Sequence, residues 1–294
     1  MQTAFSRFVA PARGHPQLWR LGLGAGLVTL CTLAGTAAIF GAGWLAAGTG
    51  EDGTLWADRM VSAETPLGTL LLLFSFSGMA AGAMIAARLI HKRPAASLFG
   101  PAVRVVRDFV RAAAVVGALM GVSLAVWSIS YDAVPGLSPV TWAALLPATL
   151  LGLAIQTGAE ELVFRGYLQQ QLAARFRSPL AWALVPSLLF GAIHYNPSLP
   201  TEGALILIGA ATLFGLAAAD LTARTGSIGA AWGFHFANNL LAIAILSTEG
   251  TITGLGLFRT PYAVDESAAL DLLILVDLAF LGLAWWLVRR AVSR

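Results

Sequence analysis

Charge is what this sequence has least of. Asp, Glu, Lys and Arg make up 11% of its 294 residues, against about 25% in soluble globular domains. With 57% hydrophobic residues and a mean hydropathy of +0.77, the scarcity excludes an ordinary water-soluble fold and defines a membrane protein. Cysteine is almost missing too. Cys31 is the single one and lies in an apolar run, which excludes an intrachain disulfide framework and a thiolate metal site. There is no HExxH motif, so the common helical zinc-protease arrangement is absent. No internal repeat and no long linker is present, so residues 1–294 read as a single polytopic membrane domain. The soluble segments are too short for a large partner-binding domain. The net charge is only +3 and its basic residues sit at helix ends, which suits the lipid bilayer as partner and not nucleic acid.

Long apolar runs are what the chain does have. A span takes about 20 mostly apolar residues, and eight stretches qualify, at roughly 20–47, 66–90, 109–130, 139–160, 179–196, 203–223, 226–247 and 268–288. The expected fold is therefore all-α, a bundle of about eight transmembrane helices. The first run is too long for a signal-peptide core and reads as a retained span. The fourth helix is expected to continue to about Arg175, because LVFRGYLQQQLAAR holds strong helix formers around one glycine. Breakers such as AVPGLSP, RSP, NPSLP, RTGS and RTPY fall between the runs.

The charges that remain are sorted by side. With the N-terminus in the cytoplasm, that side collects Arg7, Arg13, Arg20, Arg88, Lys92, Arg93, Arg104, Arg107, Arg111, Arg175, Arg177, Arg224, Arg289, Arg290 and Arg294. The other side keeps Arg59 and Arg259 among Glu51, Asp52, Asp58, Glu64, Asp132, Glu202, Glu249, Asp265 and Glu266. This positive-inside pattern places both termini in the cytoplasm and points to the cytoplasmic membrane. Trp19, Trp44, Trp127 and Trp142 lie near span ends as interfacial anchors. Asp220 and Arg224, spaced i, i+4, are expected to form a local ion pair.

Ionisable residues at membrane depth are expensive and mark function by default. Here they are Glu160, Glu161 and Arg165 on the fourth helix, His194 on the fifth, His235 beside Asn238 and Asn239 on the seventh, and Asp277 on the eighth. The fourth and fifth helices meet at the RSP turn. His194 is as far after that turn as the glutamates are before it, so all three share a level about 25 Å above it. Glu161 and Arg165 are i, i+4 with the acid first, the better orientation for a helical pair. Glu160 points about 100° away from Glu161, so one acid can pair with Arg165 while the other faces a cavity. His235 and Asn239 share a face. Phe190 reads as packing, and Gly191 and Gly233 as sites of close helix approach. Asp277 has no motif around it and reads first as a buried acid satisfied by a neighbouring helix. The set of acids, imidazoles and an amide can activate water and stabilise an oxyanion. The same Glu160, His194 and His235 can instead hold a divalent metal such as zinc. The residues alone leave both open.

These residues form EELVFR (Glu160, Glu161, Arg165), FGAIH (Phe190, His194) and HFANN (His235, Asn239), in that order. The chain resembles the CPBP family of intramembrane proteases, which includes CAAX prenyl endopeptidases and bacteriocin-processing or immunity proteins. The resemblance covers about residues 145–245 as a catalytic core. It implies an endopeptidase acting on a membrane-associated protein or peptide, in a cavity open to the cytoplasm. It further implies that Glu160 and His194 activate the water, His235 and Asn239 hold the oxyanion, and Glu161 and Arg165 keep the geometry. Members are commonly labelled metalloproteases. In prenyl-processing relatives the substrate is a lipidated C-terminal sequence. Two other classes compete: a non-catalytic scaffold or immunity factor of the same fold, and a proton-coupled transporter. The transporter predicts a repeat relation between halves that this sequence lacks.

Overall fold

A computed structural model describes residues 3–293 apart from 49, 51, 198 and 264–266. Glu51, Asp265, Glu266 and Arg294, which entered the charge pattern, lie outside the described residues.

The chain opens with a short helix, α1 (Ala4–Val9), whose first turn is capped by the Thr3 hydroxyl accepting from Ser6 N–H. The long α2 (Leu18–Ala47) ends at Gly48 in the left-handed region. A short α3 (Gly53–Ser62) begins at an Asp52 cap, and α4 (Pro66–Ser75) at a Thr65 cap. Then follow α5 (Ser77–Leu89) and α6 (Ala102–Trp127). After β1 (Val134–Pro135), α7 (Pro139–Glu161) starts at a Ser138 cap with Pro139 in the first turn. It passes without a break through π-helical turns at Leu162–Gln169 into α8 (Gln170–Arg175). Another π-helical turn, Leu180–Leu184, leads into α9 (Val185–Ala192). Next come α10 (Thr201–Thr225) and α11 (Gly229–Asn239), the latter widening into π-helical turns at Leu240–Ile245. The strands β2 (Leu246–Glu249) and β3 (Phe258–Ala263) precede the final helix α12 (Ser267–Val292).

Helix thus covers each of the expected runs, and the fourth does continue to Arg175. Among the described residues five helices are long and apolar enough to cross a membrane: Leu18–Ala47, Pro66–Leu89, Ala95–Trp127, Pro139–Arg175 and Thr201–Thr225. The protein is a mostly helical integral membrane protein. The all-α expectation needs one correction. A small sheet of order β1-β3-β2 joins the start of α7 to the end of α11. Its strands are short and rich in turn residues, so neither a period of two nor length announced them.

The core sits around the second half of the chain. Phe164, Tyr167, Phe190, Phe214 and Phe234 are buried together. The hairpin level predicted from the RSP turn is met where the Phe164 and Phe190 rings touch edge to face, centroids 5.0 Å apart. Gly191 lies so close to α10 that a Cβ there would sit 2.6 Å from the Ile208 carbonyl oxygen. Gly233 meets the Phe109 carbonyl of α6 still more tightly. Both glycines therefore do what the sequence suggested, letting backbones approach within contact distance.

Candidate active site

Two packing events bring α7 and α11 together. Trp232 lies over Gly158, where a Cβ would be 2.9 Å from its ring, and its indole N–H donates to the Ala154 carbonyl at 3.2 Å. Trp142 at the head of α7 donates to the Ala244 carbonyl at 2.7 Å. Clamped at both ends, α11 presents His235 to the two glutamates.

Glu161 is wholly buried and Arg165 is 2% exposed. Arg165 Nη1 donates to Glu161 Oε1 at 3.2 Å, as the i, i+4 spacing predicted. Its Nη2 donates to the Gly215 carbonyl of α10 at 3.3 Å, and its guanidinium lies over the Phe190 ring at 4.8 Å. His235 Nδ1–H donates to the same Glu161 oxygen at 2.9 Å. Its Nε2 lies 3.4 Å from Glu160 Oε2. His235 is thus a bridge between the adjacent acids, which point apart along the helix yet reach opposite edges of one imidazole.

His194 is half-buried, and its Nδ1–H donates to the Phe190 carbonyl at 2.7 Å. That bond leaves Nε2 with a free lone pair. No described hydrogen bond joins His194 to Glu160. The Phe190 ring connects the two histidines, 4.6 Å from His194 and 5.9 Å from His235 between centroids. Phe190 is therefore packing, as expected, but packing that spaces the site.

Asn239 makes no described hydrogen bond to the glutamates. Its Nδ2 donates to Gln156 Oε1 at 2.9 Å, and its Oδ1 accepts from Asn238 Nδ2 at 3.2 Å. Gln156 was not singled out from the sequence. The available signal was its position one turn before Glu160, on the same face, in an otherwise apolar stretch.

Among the described residues no three His, Cys, Asp or Glu side chains converge to hold a metal ion. His235 turns both nitrogens to carboxylates, and His194 faces a carbonyl on its Nδ1 side. Glu160, His194 and His235 do not converge on one point among the described residues. Asp277 lies on α12 and makes no described contact with this cluster.

The fold and the buried acid–base cluster define a class, a helical integral membrane protein with a polar site enclosed among its spans. The comparisons with known proteins make it specific. Residues 139–241 match the family of type II CAAX prenyl endopeptidases, Rce1-like. That segment holds all three motifs, so the resemblance drawn from them is shown where they lie. A Bacillus subtilis (strain 168) protein, the uncharacterized protein YyaK, is 33% identical over 153 residues, 51% of this chain and 50% of that protein. The chain thus spans about half the length of the curated relative it matches. No solved structure matches it.

Proposed function

We propose that this protein is an intramembrane endopeptidase that hydrolyses a peptide bond in a membrane-associated protein or peptide. The observation that carries the reading is the buried Glu160–His235–Glu161–Arg165 chain, inside a segment that matches a CAAX endopeptidase family. Charges at membrane depth persist only when function or pairing holds them there. Here pairing accounts for Arg165 and for one oxygen of Glu161, while the Oε2 atoms of both Glu160 and Glu161 are buried without a hydrogen-bond partner.

In this reading Glu160 and His194 activate the attacking water. The free Nε2 of His194 and the Glu160 carboxylate take its proton, and the oxygen bonds to the scissile carbonyl carbon. His235 and Asn239 stabilise the resulting oxyanion. The proton then passes to the departing amine as the C–N bond breaks. Glu161 and Arg165 hold His235 in place, and Gln156 and Asn238 fix which way the Asn239 amide faces. The site belongs to a single membrane domain, with its catalytic core in residues 145–245. Eight spans place both termini and the site's opening on the cytoplasmic side of the cytoplasmic membrane. A prenylated CAAX-type C-terminus is the substrate class that the family suggests.

The test is cleavage of a peptide panel, with and without a C-terminal isoprenyl group, by purified protein in detergent. Glu160→Gln and His194→Ala are each expected to lower turnover by about 10²–10⁴ with an unchanged melting temperature. Chelator is expected to leave the rate unaltered. Full activity in Glu160→Gln overturns the assignment.

A further inference from the structure

The i, i+4 partnership expected between Asp220 and Arg224 does not form. Asp220 reaches across to the last helix instead: its Oδ2 accepts from the Trp285 indole N–H at 3.0 Å and pairs with Arg289 Nε at 3.4 Å. Arg224, at the end of the same helix α10, is left exposed without a carboxylate among the described residues. Arg290 is in the same position, its guanidinium stacked 3.9 Å over the Trp286 ring. Arg224, Arg289 and Arg290 line one cavity of about 460 Å³ together with Trp286 and Ser293. Three cations thus share a cavity whose nearby acid is already spent on one of them.

A second hollow of about 320 Å³ lies on the other side of the Asp220–Arg289 pair. Its walls are mostly apolar, formed by Leu213 and Leu216 of α10 and by Leu278, Leu281 and Gly282 of α12, with Asp220 and Trp285 also lining it. A cationic cavity at the helix ends, continuing into an apolar groove between two helices, has the polarity of a phospholipid: phosphate at one end, acyl chain at the other. Basic pockets between membrane helices are where anionic headgroups are held. A soluble phosphate would leave the groove unused, and a zwitterionic lipid would bring a second cation to the three arginines. We infer that the α10–α12 face binds an anionic phospholipid. The phosphate lies among Arg224, Arg289 and Arg290, and an acyl chain lies along Leu213, Leu216 and Leu281. Asp220 acts as a positioning residue, holding Arg289 and Trp285 at the junction of the two parts. None of these residues belongs to the proposed protease site.

The test compares phosphatidylglycerol, phosphatidylcholine and inorganic phosphate on the full chain in detergent, with lipid retention read by native mass spectrometry and thermal shift. Wild type is expected to retain phosphatidylglycerol on the order of ten- to thirtyfold more tightly than phosphatidylcholine, the combined effect of two free arginines at about 1 kcal/mol each. Arg224→Gln/Arg290→Gln should erase that preference; both side chains are exposed, so folding is not at stake. Gly282→Phe fills the groove, since a Cβ there meets nothing within 4 Å. It should weaken both lipids alike. Equal retention of the two lipids by wild type, an unaltered preference in the double variant, unweakened binding in Gly282→Phe, or full displacement by millimolar phosphate would each overturn the assignment.

Discussion

Two helices of this protein treat their side chains in opposite ways. In α2 only Gly24, Val28 and Phe40 are buried, while Leu30, Leu33 and Leu45 stand more than 60% exposed. In the stretch from Gln156 to Tyr167 every residue is buried, two glutamates and an arginine included. In water that distribution would be inverted. Lipid removes the cost of exposing leucine and raises the cost of exposing charge, so the charged residues move to the protein interior and the apolar ones form the outer wall. Interior position in such a protein is therefore a better guide to function than hydrophobicity is.

The contrast can be broken most forcefully at Arg165. Arg165→Met removes the cation that faces the fully buried Glu161, and is expected to cost about 3–5 kcal/mol of stability. Leu33→Ala on α2 should change stability by less than about 0.5 kcal/mol, because its neighbour is lipid in both states. Thermal melts of the two variants in the same detergent check this, and equal melting temperatures would erase the distinction between the regions. A smaller effect is expected at Gln156. Gln156→Leu leaves the Asn239 amide unoriented and should lower turnover by roughly tenfold with little change in KM or in melting temperature. Gln156→Glu keeps an acceptor for Asn239 and should recover most of it; a Leu variant with full turnover would remove Gln156 from the site.

Much of this was legible in the sequence. The Glu161–Arg165 pair followed from helical spacing, and the level of α9 against the α7–α8 rod followed from counting outward from one turn. What spacing within a helix cannot supply is competition from other helices. Asp220 had a partner four residues away and took Arg289 and Trp285 instead, because interhelical packing decided which neighbour was closer. Likewise Glu160 was read as facing a cavity, and its nearest described group is His235. Gln156 was passed over because a single amide in an apolar run looks like structural glue until its partner, Asn239, is seen. The small sheet was missed because its strands are very short and β1 pairs with β3 more than 100 residues away, which no local pattern records.

The smallest effect sharpens the contrast from outside the membrane. In the loop after α5, His91 is buried and neutral, its Nδ1–H donating to the His15 carbonyl at 3.1 Å while Tyr167 donates to Nε2 at 2.8 Å. Burial, more than the nearby charges of Arg93 and Arg20, holds its pKa down to about 4. The unfolded chain binds this proton near pH 6.5 and the folded one near pH 4, so stability contributed here is intact above about 6.5 and declines as the pH falls towards 4. Melting temperature should drop across that window, and His91→Gln should flatten the drop; identical slopes would show that other groups set it.

The three strands have a mechanical consequence. β1 is three residues upstream of α7, β2 begins where the widened turns after α11 end, and β3 hydrogen-bonds to both. With Trp142 donating to Ala244 just inside it, this backbone ladder acts as a tie-bar across one end of the α7–α11 cleft. Separating the two helices at that end means breaking the ladder as well as the Trp142 contact, so the strands tie together segments that lie more than 100 residues apart in the chain.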